Sequence, residues 1–225
     1  MREMKTIAHI RSPFTEKFGI PRQSGLTSLC SEIVFEPEYR VAEAFRGLDG
    51  YSHLWILWEF SEAVQEGWSP TVRPPRLGGN TRMGVFATRS PYRPNPIGMS
   101  SVKLERIDLH TAEGPVLYVS GADILNGTPI YDIKPYLAYT DSHPEATGGF
   151  ALQQKEGVLK VDFPVELLGQ VPAELRQGLI EILAQDPRPQ YHSSPERIYM
   201  MAFGGFDVQF RIKGDLLIVC GVVKK

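Results

Sequence analysis

The segment ATRSPYRPNPIGMS, residues 87–100, concentrates side chains able to do chemistry on a backbone that cannot easily rearrange. Pro91, Pro94 and Pro96 each fix φ near −65° and push the preceding residue toward extended geometry. Arg89, Ser90, Arg93 and Asn95 therefore project in predetermined directions, which lowers the ordering cost of binding a polar ligand. Two further proline-containing loops have the same character. Residues 11–25, RSPFTEKFGIPRQSG, carry Pro21, Arg22 and Gln23. Residues 121–141, GADILNGTPIYDIKPYLAYTD, bring Asp123, Asp132, Lys134, Tyr136 and Asp141 beside Gly127 and Pro129. Acids, an ammonium and a phenol so close together fit two roles. They can form a surface ion-pair network, or they can hold a substrate amine and perturb its proton affinity.

Charge sharpens the picture. The 225-residue chain has 24 Lys and Arg against 26 Asp and Glu, a net charge of −2, which argues against a protein that coats nucleic acid along its whole surface. The distribution is uneven. Arg73, Arg76, Arg82, Arg89, Arg93, Lys103 and Arg106 face only Glu105 within residues 70–106, and the rest of the chain is acidic. Arginine suits bidentate contact with carboxylate or phosphate and stacks on flat rings. The stretch is either a set of solvated loops paired with acids elsewhere or a local footprint for an anion or nucleic acid.

The elements that must position these loops read mainly as strands. Residues 5–10, 28–35, 51–60, 83–88, 100–109 and 115–125 are rich in β-branched and aromatic residues and separated by Gly, Pro and Asn signals. Trp55, Trp58 and Phe60 lie in the apolar strand YSHLWILWEF and read as core, with Trp55 on the opposite face from Trp58. One helix is predicted in this half, from Pro37 to about Phe45, with proline at its start. The polar segment TDSHPEATGG, residues 140–149, marks a boundary. Beyond it, Leu175, Leu179, Ile182 and Leu183 recur at helical spacing across residues 172–185. A proline-punctuated loop, QDPRPQYHSSPER, follows. Two closing strands, 207–212 and 215–222, flank Lys213-Gly214 as a tight hairpin. The fold class expected is mainly β: a barrel over residues 1–145 and a small α+β unit over 150–225.

Several chemistries find no support. No two glycines stand at i and i+2, so the dinucleotide fingerprint GxGxxG cannot occur. Gly79 and Gly84 have phosphate-loop spacing, but Val85 stands where Lys is required. The five histidines never approach HExxH, and Gly98-Met99-Ser100 fails as a nucleophile elbow. Cys30 and Cys220, 190 positions apart, offer neither a disulfide framework nor a thiolate metal site. The first residues lack the apolar stretch of a signal peptide and no run reaches a membrane span, so a cytoplasmic protein with no metal is expected.

Taken together, RSPFTEKFGIPRQSGL, SHLWILWEF, PTVRPPRLGGNTRMGVFATRSPYRPNPIGMS, GTPIYDIKPYLAYTDS and QDPRPQYH resemble the TrmO (TsaA-like, YaeB) family. The similarity runs over nearly the whole chain, in order. It implies an S-adenosylmethionine-dependent tRNA methyltransferase acting on the exocyclic N6 of threonylcarbamoyladenosine at position 37. It also implies a non-Rossmann barrel binding the cofactor, and a homodimer. By position in the matching motifs, Pro21, Arg22, Gln23, Arg89, Met99, Gly121, Ala122, Asp123 and Ile124 would line the cofactor pocket. Ser61 and Glu62 would join them, standing where relatives carry His-Gln.

Transfer of a methyl group from a sulfonium is an in-line displacement, so alignment and local electrostatics supply most of the catalysis. The acceptor nitrogen is urea-like and needs a base or strong hydrogen-bond acceptance as the methyl arrives. Asp132, Lys134 and Tyr136 are the expected group. Arg76, Arg82 and Arg93 are the expected phosphate contacts, extended by Arg188 and Arg197 in the C-terminal unit beside Tyr191 and His192. Two other readings compete. One is methylation of a different amine or metabolite. The other is a non-catalytic module that binds S-adenosylmethionine and RNA.

Overall fold

The computed structural model describes residues 3–64, 66–74, 77, 81–150, 158–188 and 196–225. Six strands close into an antiparallel barrel: β1 (Ala8–Arg11), β2 (Cys30–Phe35), β3 (His53–Glu59), β6 (Ile97–Thr111), β7 (Gly114–Ser120) and β8 (Pro129–Pro135). Their order around the barrel is β1-β2-β7-β6-β3-β8, and β8 returns to pair with β1. Closure removes the exposed strand edges that an open sheet would leave. The interior follows the period-two alternation of β3, in which Leu54, Ile56 and Trp58 point inward and Trp55, Leu57 and Glu59 outward. Ile10, Ile33, Val102, Leu117, Val119 and Ile130 complete the packing.

β8 departs from the expectation of a loop over residues 121–141. Proline at both ends and the Asp132-Ile133-Lys134 alternation disguise it, yet Pro129 occupies the first position of the strand, where a missing N–H is tolerated. The strand is the stave that closes the barrel. The predicted helix from Pro37 to Phe45 is also replaced. Two 3-10 turns, Pro37–Tyr39 and Ala42–Phe45, stand there instead. Val41 between them is extended, and Arg40 Nε donates to the Phe35 carbonyl at 2.8 Å, folding the chain back before a helix can propagate. Of the strand expected at 83–88, only β5 (Met83–Gly84) forms, pairing with β4 (Thr71–Val72). The Val85–Ala87 turn, closed by Thr88 Oγ1 on the Val85 carbonyl, takes the remainder.

The second half carries its own sheet, ordered β10 (Tyr199–Phe203), β11 (Phe206–Lys213), β12 (Leu216–Lys224), β9 (Lys160–Asp162). The predicted hairpin is present, with Gly214 at φ 63° supplying the left-handed turn. Besides the short helices α1 (Ala138–Asp141) and α2 (Val165–Leu168), α3 (Ala173–Ala184) covers this sheet and buries Leu179, Ile182 and Leu183 on it. Among the described residues no helix is long and apolar enough to cross a membrane.

The segment between β1 and β2 belongs to both halves. Phe14 and Leu29 enter the second core. Ser12 Oγ and the Asn126 backbone N–H tie its start to the barrel, donating at 2.8 Å to the carbonyls of Ile124 and Phe14. At its other end, the backbone N–H and hydroxyl of Ser28 donate to Glu181 on α3 at 2.6 and 2.9 Å. Gly178 on α3 makes this approach possible, since any Cβ there would collide with Leu29. Residues 12–29 are thus held taut between the two units. Pro21, Arg22 and Gln23 ride on them.

Candidate cofactor and active site

One end of the barrel is open. The end of β3, the start of β6 and the link from β7 to β8 surround a cavity of about 560 Å³, within the ~300–1,000 Å³ range of small-molecule sites. The taut segment and the proline-rich loop form its walls. Ile20, Trp58, Phe60, Ile97 and Met99 supply apolar surface, and charged and polar side chains, Arg22, Gln23, Glu59, Glu62, Arg89 and Asp123 among them, supply the rest.

The polar floor starts from the barrel core. Gly98 leaves room for the Trp58 ring to lie across β6, where any side chain would overlap it. The Trp58 indole N–H then donates to Ser100 Oγ at 3.0 Å, and Ser100 donates to Asp123 Oδ1 at 2.5 Å. Burial pushes the Asp123 carboxyl above its ordinary range, against the opposing pull of the Ser100 hydroxyl, nearby backbone N–H groups and Arg89. Asp123 is therefore a partly desolvated carboxylate held in one orientation. It suits a cationic ligand group.

The rim is basic. Arg89 Nη1 donates to Gln23 Oε1, and Gln23 Nε2 donates to the Arg22 carbonyl at 2.5 Å. The loop carrying Arg89 is braced from within: Ser90 N–H bonds Thr88 Oγ1, Tyr92 N–H bonds Ser90 Oγ, and Arg93 Nη1 bonds the Thr88 carbonyl at 3.1 Å. Opposite, Lys17 pairs with Glu62 at 3.2 Å. That pairing makes a bridge from the Ser61–Ala63 turn to the taut segment.

Eight of the eleven expected cofactor residues meet here: Pro21, Arg22, Gln23, Ser61, Glu62, Arg89, Met99 and Asp123. Gly121, Ala122 and Ile124 do not line the cavity. Ala122 and Ile124 point into the barrel core. Gly121, at φ 82°, turns the chain out of β7, and its carbonyl accepts from Gly25 N–H at 2.8 Å. These three shape the backbone that presents Asp123. Trp58, Phe60, Ser100 and Lys17 were not expected. The alternation of β3 marks Trp58 as core, which it is, but nothing in the sequence signals that it also borders a cavity.

The expected catalytic group lies elsewhere in this chain. Asp132 and Lys134 are on the outer face of β8, paired with each other at 2.7 Å. Tyr136 follows them, its ring 5.5 Å from Trp55. Trp55 Nε1 donates to Asp141 at 2.8 Å, and this bond, with the Leu137 N–H, holds the Asp141 carboxyl below the usual range, the backbone bond being the larger cause. In the same outer face, burial and a hydrogen bond to Glu59 push the Tyr131 phenol up to about 12. Strand register sets Met99, Leu57 and Asp132 side by side in one row, so the cavity wall and the Asp132 group share a continuous surface.

The expected RNA contacts scatter. Arg82 is exposed, Arg93 lies on the cavity rim, and Arg197 lies 5.4 Å from the Tyr199 ring centre. Arg188 is largely buried in an ion pair with Asp186. Arg76, Tyr191 and His192 lie outside the described residues. Among the described residues no group of three or more His, Cys, Asp or Glu gathers to hold a metal.

The fold is a closed antiparallel barrel of non-Rossmann type, and the arginine-rimmed, carboxylate-floored cavity at one end suits a small zwitterionic or cationic ligand. Residues 9–142 match the family model for the tRNA-methyltransferase O N-terminal domain, and residues 158–225 match the TrmO C-terminal domain. The chain belongs to the TrmO family. It is 43% identical over 219 residues to the tRNA (adenine(37)-N6)-methyltransferase of Escherichia coli K12, covering 93% of each chain. It is 36% identical over 139 residues, 62% of this chain and 93% of the relative, to a Methanothermobacter thermautotrophicus protein named "Probable S-adenosyl-L-methionine-binding protein". The crystal structure of TrmO from Pseudomonas aeruginosa superposes with a TM-score of 0.78 at 34% identity, covering 99% of both chains.

Proposed function

We propose that this protein methylates tRNA at the N6 nitrogen of adenosine 37, using S-adenosylmethionine, and that the base it takes carries the threonylcarbamoyl group. The observation that supports this most is the convergence of Arg22, Gln23, Arg89 and Asp123 on one cavity in a chain of this family. The residues suit the cofactor. Arg89 and Arg22 are placed for a carboxylate, Asp123 for a cationic centre, and Trp58, Phe60 and Met99 for a flat ring. When bound, the cofactor supplies a methyl group on a positively charged sulfur. The chain's part is to fix its orientation and keep water from the reacting atoms, the office of the braced loop and the Lys17–Glu62 bridge.

The acceptor nitrogen has to lose its proton, and among the described residues the carboxylates lining the cavity, Glu59, Glu62 and Asp123, are each engaged, by Tyr131, Lys17 and Ser100. We place that work on Asp132, Lys134 and Tyr136 of a second copy, in a homodimer formed through the outer face of β6, β3 and β8. Met99, 56% exposed there, and Ile97, 36% exposed, give that face an apolar centre. A two-fold axis through it would bring each copy's Asp132 group to its partner's cavity. Arg76, Arg82 and Arg93 would hold the anticodon-loop phosphates, with Arg197 extending the contact. Labelled S-adenosylmethionine incubated with tRNA bearing or lacking the threonylcarbamoyl group tests the proposal. Label should appear only on the modified nucleoside. Label on neither RNA would refute the proposal, and equal label on both would change the substrate.

A further inference from the structure

Helix α3 ends on an unusual residue. Asp186 follows its cap with φ 52°, the one non-glycine residue in the left-handed region among the described residues. Glycine or asparagine is the usual occupant of such a position, because a Cβ there is strained. The aspartate does more than end the helix. Its Oδ2 accepts from Arg188 Nε at 3.0 Å, and the two side chains are only 19% and 23% exposed. Its Oδ1 is buried with no partner among the described residues. A mostly buried ion pair with one unsatisfied oxygen is weak support for a fold. Strain and incomplete pairing at one residue point to a positional role.

The turn meets the cofactor cavity. Arg22, which lines it, donates Nη2 to the Asp186 carbonyl at 3.3 Å. Gln23 binds the Arg22 carbonyl and accepts from Arg89. Gln185, the residue before Asp186, donates to the Leu26 carbonyl at 2.5 Å and pins the same segment from its other side. A continuous chain of contacts therefore runs from the end of α3 through Arg22 and Gln23 to Arg89.

We propose that Asp186 and Arg188 are positioning residues for the cofactor site. Their ion pair holds the turn in the left-handed form that aims the Asp186 carbonyl at Arg22, and so sets Arg22 and Gln23 in the cavity. The proposal rests on reading that cavity as the S-adenosylmethionine site. It gives the C-terminal unit a role in cofactor affinity, separate from any contact with RNA. It also explains the sequence Gln185-Asp186-Pro187-Arg188, in which each polar side chain has a stated partner and Pro187 stiffens the link between the paired charges.

Calorimetric titration of the full chain with S-adenosylmethionine, beside filter binding of tRNA, tests it. D186G permits the left-handed turn without strain but removes the ion pair that holds it there, and R188Q breaks the pair from the other side. Both should weaken cofactor binding about five- to twenty-fold while tRNA affinity stays within about twofold. D186N, which tolerates the left-handed turn and still accepts from Arg188, should restore most of the affinity. R22A serves as the reference for a cavity residue. Cofactor affinity within about twofold of the parent in both D186G and R188Q, with R22A impaired, would overturn the positioning role and leave the cavity reading standing. Equal losses of cofactor and RNA binding would overturn it too, as a general weakening of the fold. A parent protein that does not bind S-adenosylmethionine at all would instead remove the cavity reading and this role with it.

Discussion

The open end of the barrel and the outer face of β8 have similar inventories, and their polar groups are arranged differently. At the barrel end, Asp123, Arg89, Arg22 and Gln23 come from three distant segments and converge on one volume. On β8 and just past its end, Asp132, Lys134 and Tyr136 come from one short segment and pair with each other or lie against Trp55. The first group is organised around a space large enough for a small molecule. The second is organised along a surface. On the proposed reading, a single chain holds a cofactor site and a separate group of side chains for handling the proton, and the reaction requires the two to meet.

Substitutions can break that division. D132N and Y136F should each lower methyl transfer about a hundredfold or more, the usual contribution of a positioned acid or base, while calorimetry shows unchanged cofactor affinity. Cofactor binding lost with D132N would move that residue into the binding group. R89A should do the converse. Cofactor affinity should fall at least about tenfold, about 1.4 kcal/mol, and saturating cofactor should recover much of the turnover. The floor is more sensitive to shape than to charge: G98A forces a Cβ into the Trp58 ring, and overpacking of this kind costs about 1–3 kcal/mol. A lower melting temperature together with weaker cofactor binding would check it.

The smallest effect is a pH dependence confined to the cavity. Burial raises Asp123 above its ordinary 3.8, so the folded protein keeps that proton at pH values where the unfolded chain has released it. The destabilisation from ionising it is absent below the ordinary value and grows as pH rises through the raised one. A cationic ligand favours the ionised form, so cofactor affinity should strengthen across the same window and then level off. D123N should bind more weakly with a flat profile. A parent profile equally flat would remove Asp123 from contact with the cation.

How much of this was legible in the sequence follows from the range of the interactions. Strands with clear alternation, such as β3, and the proline-braced loop at Arg89 were readable because their constraints are local. β8 was not, because its pairing with β1 and β3 outweighs the turn-like chemistry of Pro129, Asp132 and Pro135. The predicted helix at Pro37 gave way to a local bond that hydrophobic spacing does not announce, from Arg40 to the Phe35 carbonyl five residues back. At the site, the eight residues that meet were reached through resemblance to a family, since no spacing rule joins Arg22, Arg89 and Asp123. Ser100 and Trp58 were missed because their roles depend on Gly98 admitting an indole across a neighbouring strand. The left-handed Asp186 left no trace that a helix-ending aspartate would not leave.

Mixing two inactive variants tests most directly whether the cavity and the β8 face of different copies make one site. R89A and D132N chains, each inactive alone at limiting cofactor, are allowed to exchange subunits and then assayed for methyl transfer to tRNA. Random exchange makes half the dimers mixed, each with one intact site, so about a quarter of the parent activity should return. Activity no higher than that of the separate variants, with exchange verified, would place both groups in the same copy and contradict the shared site.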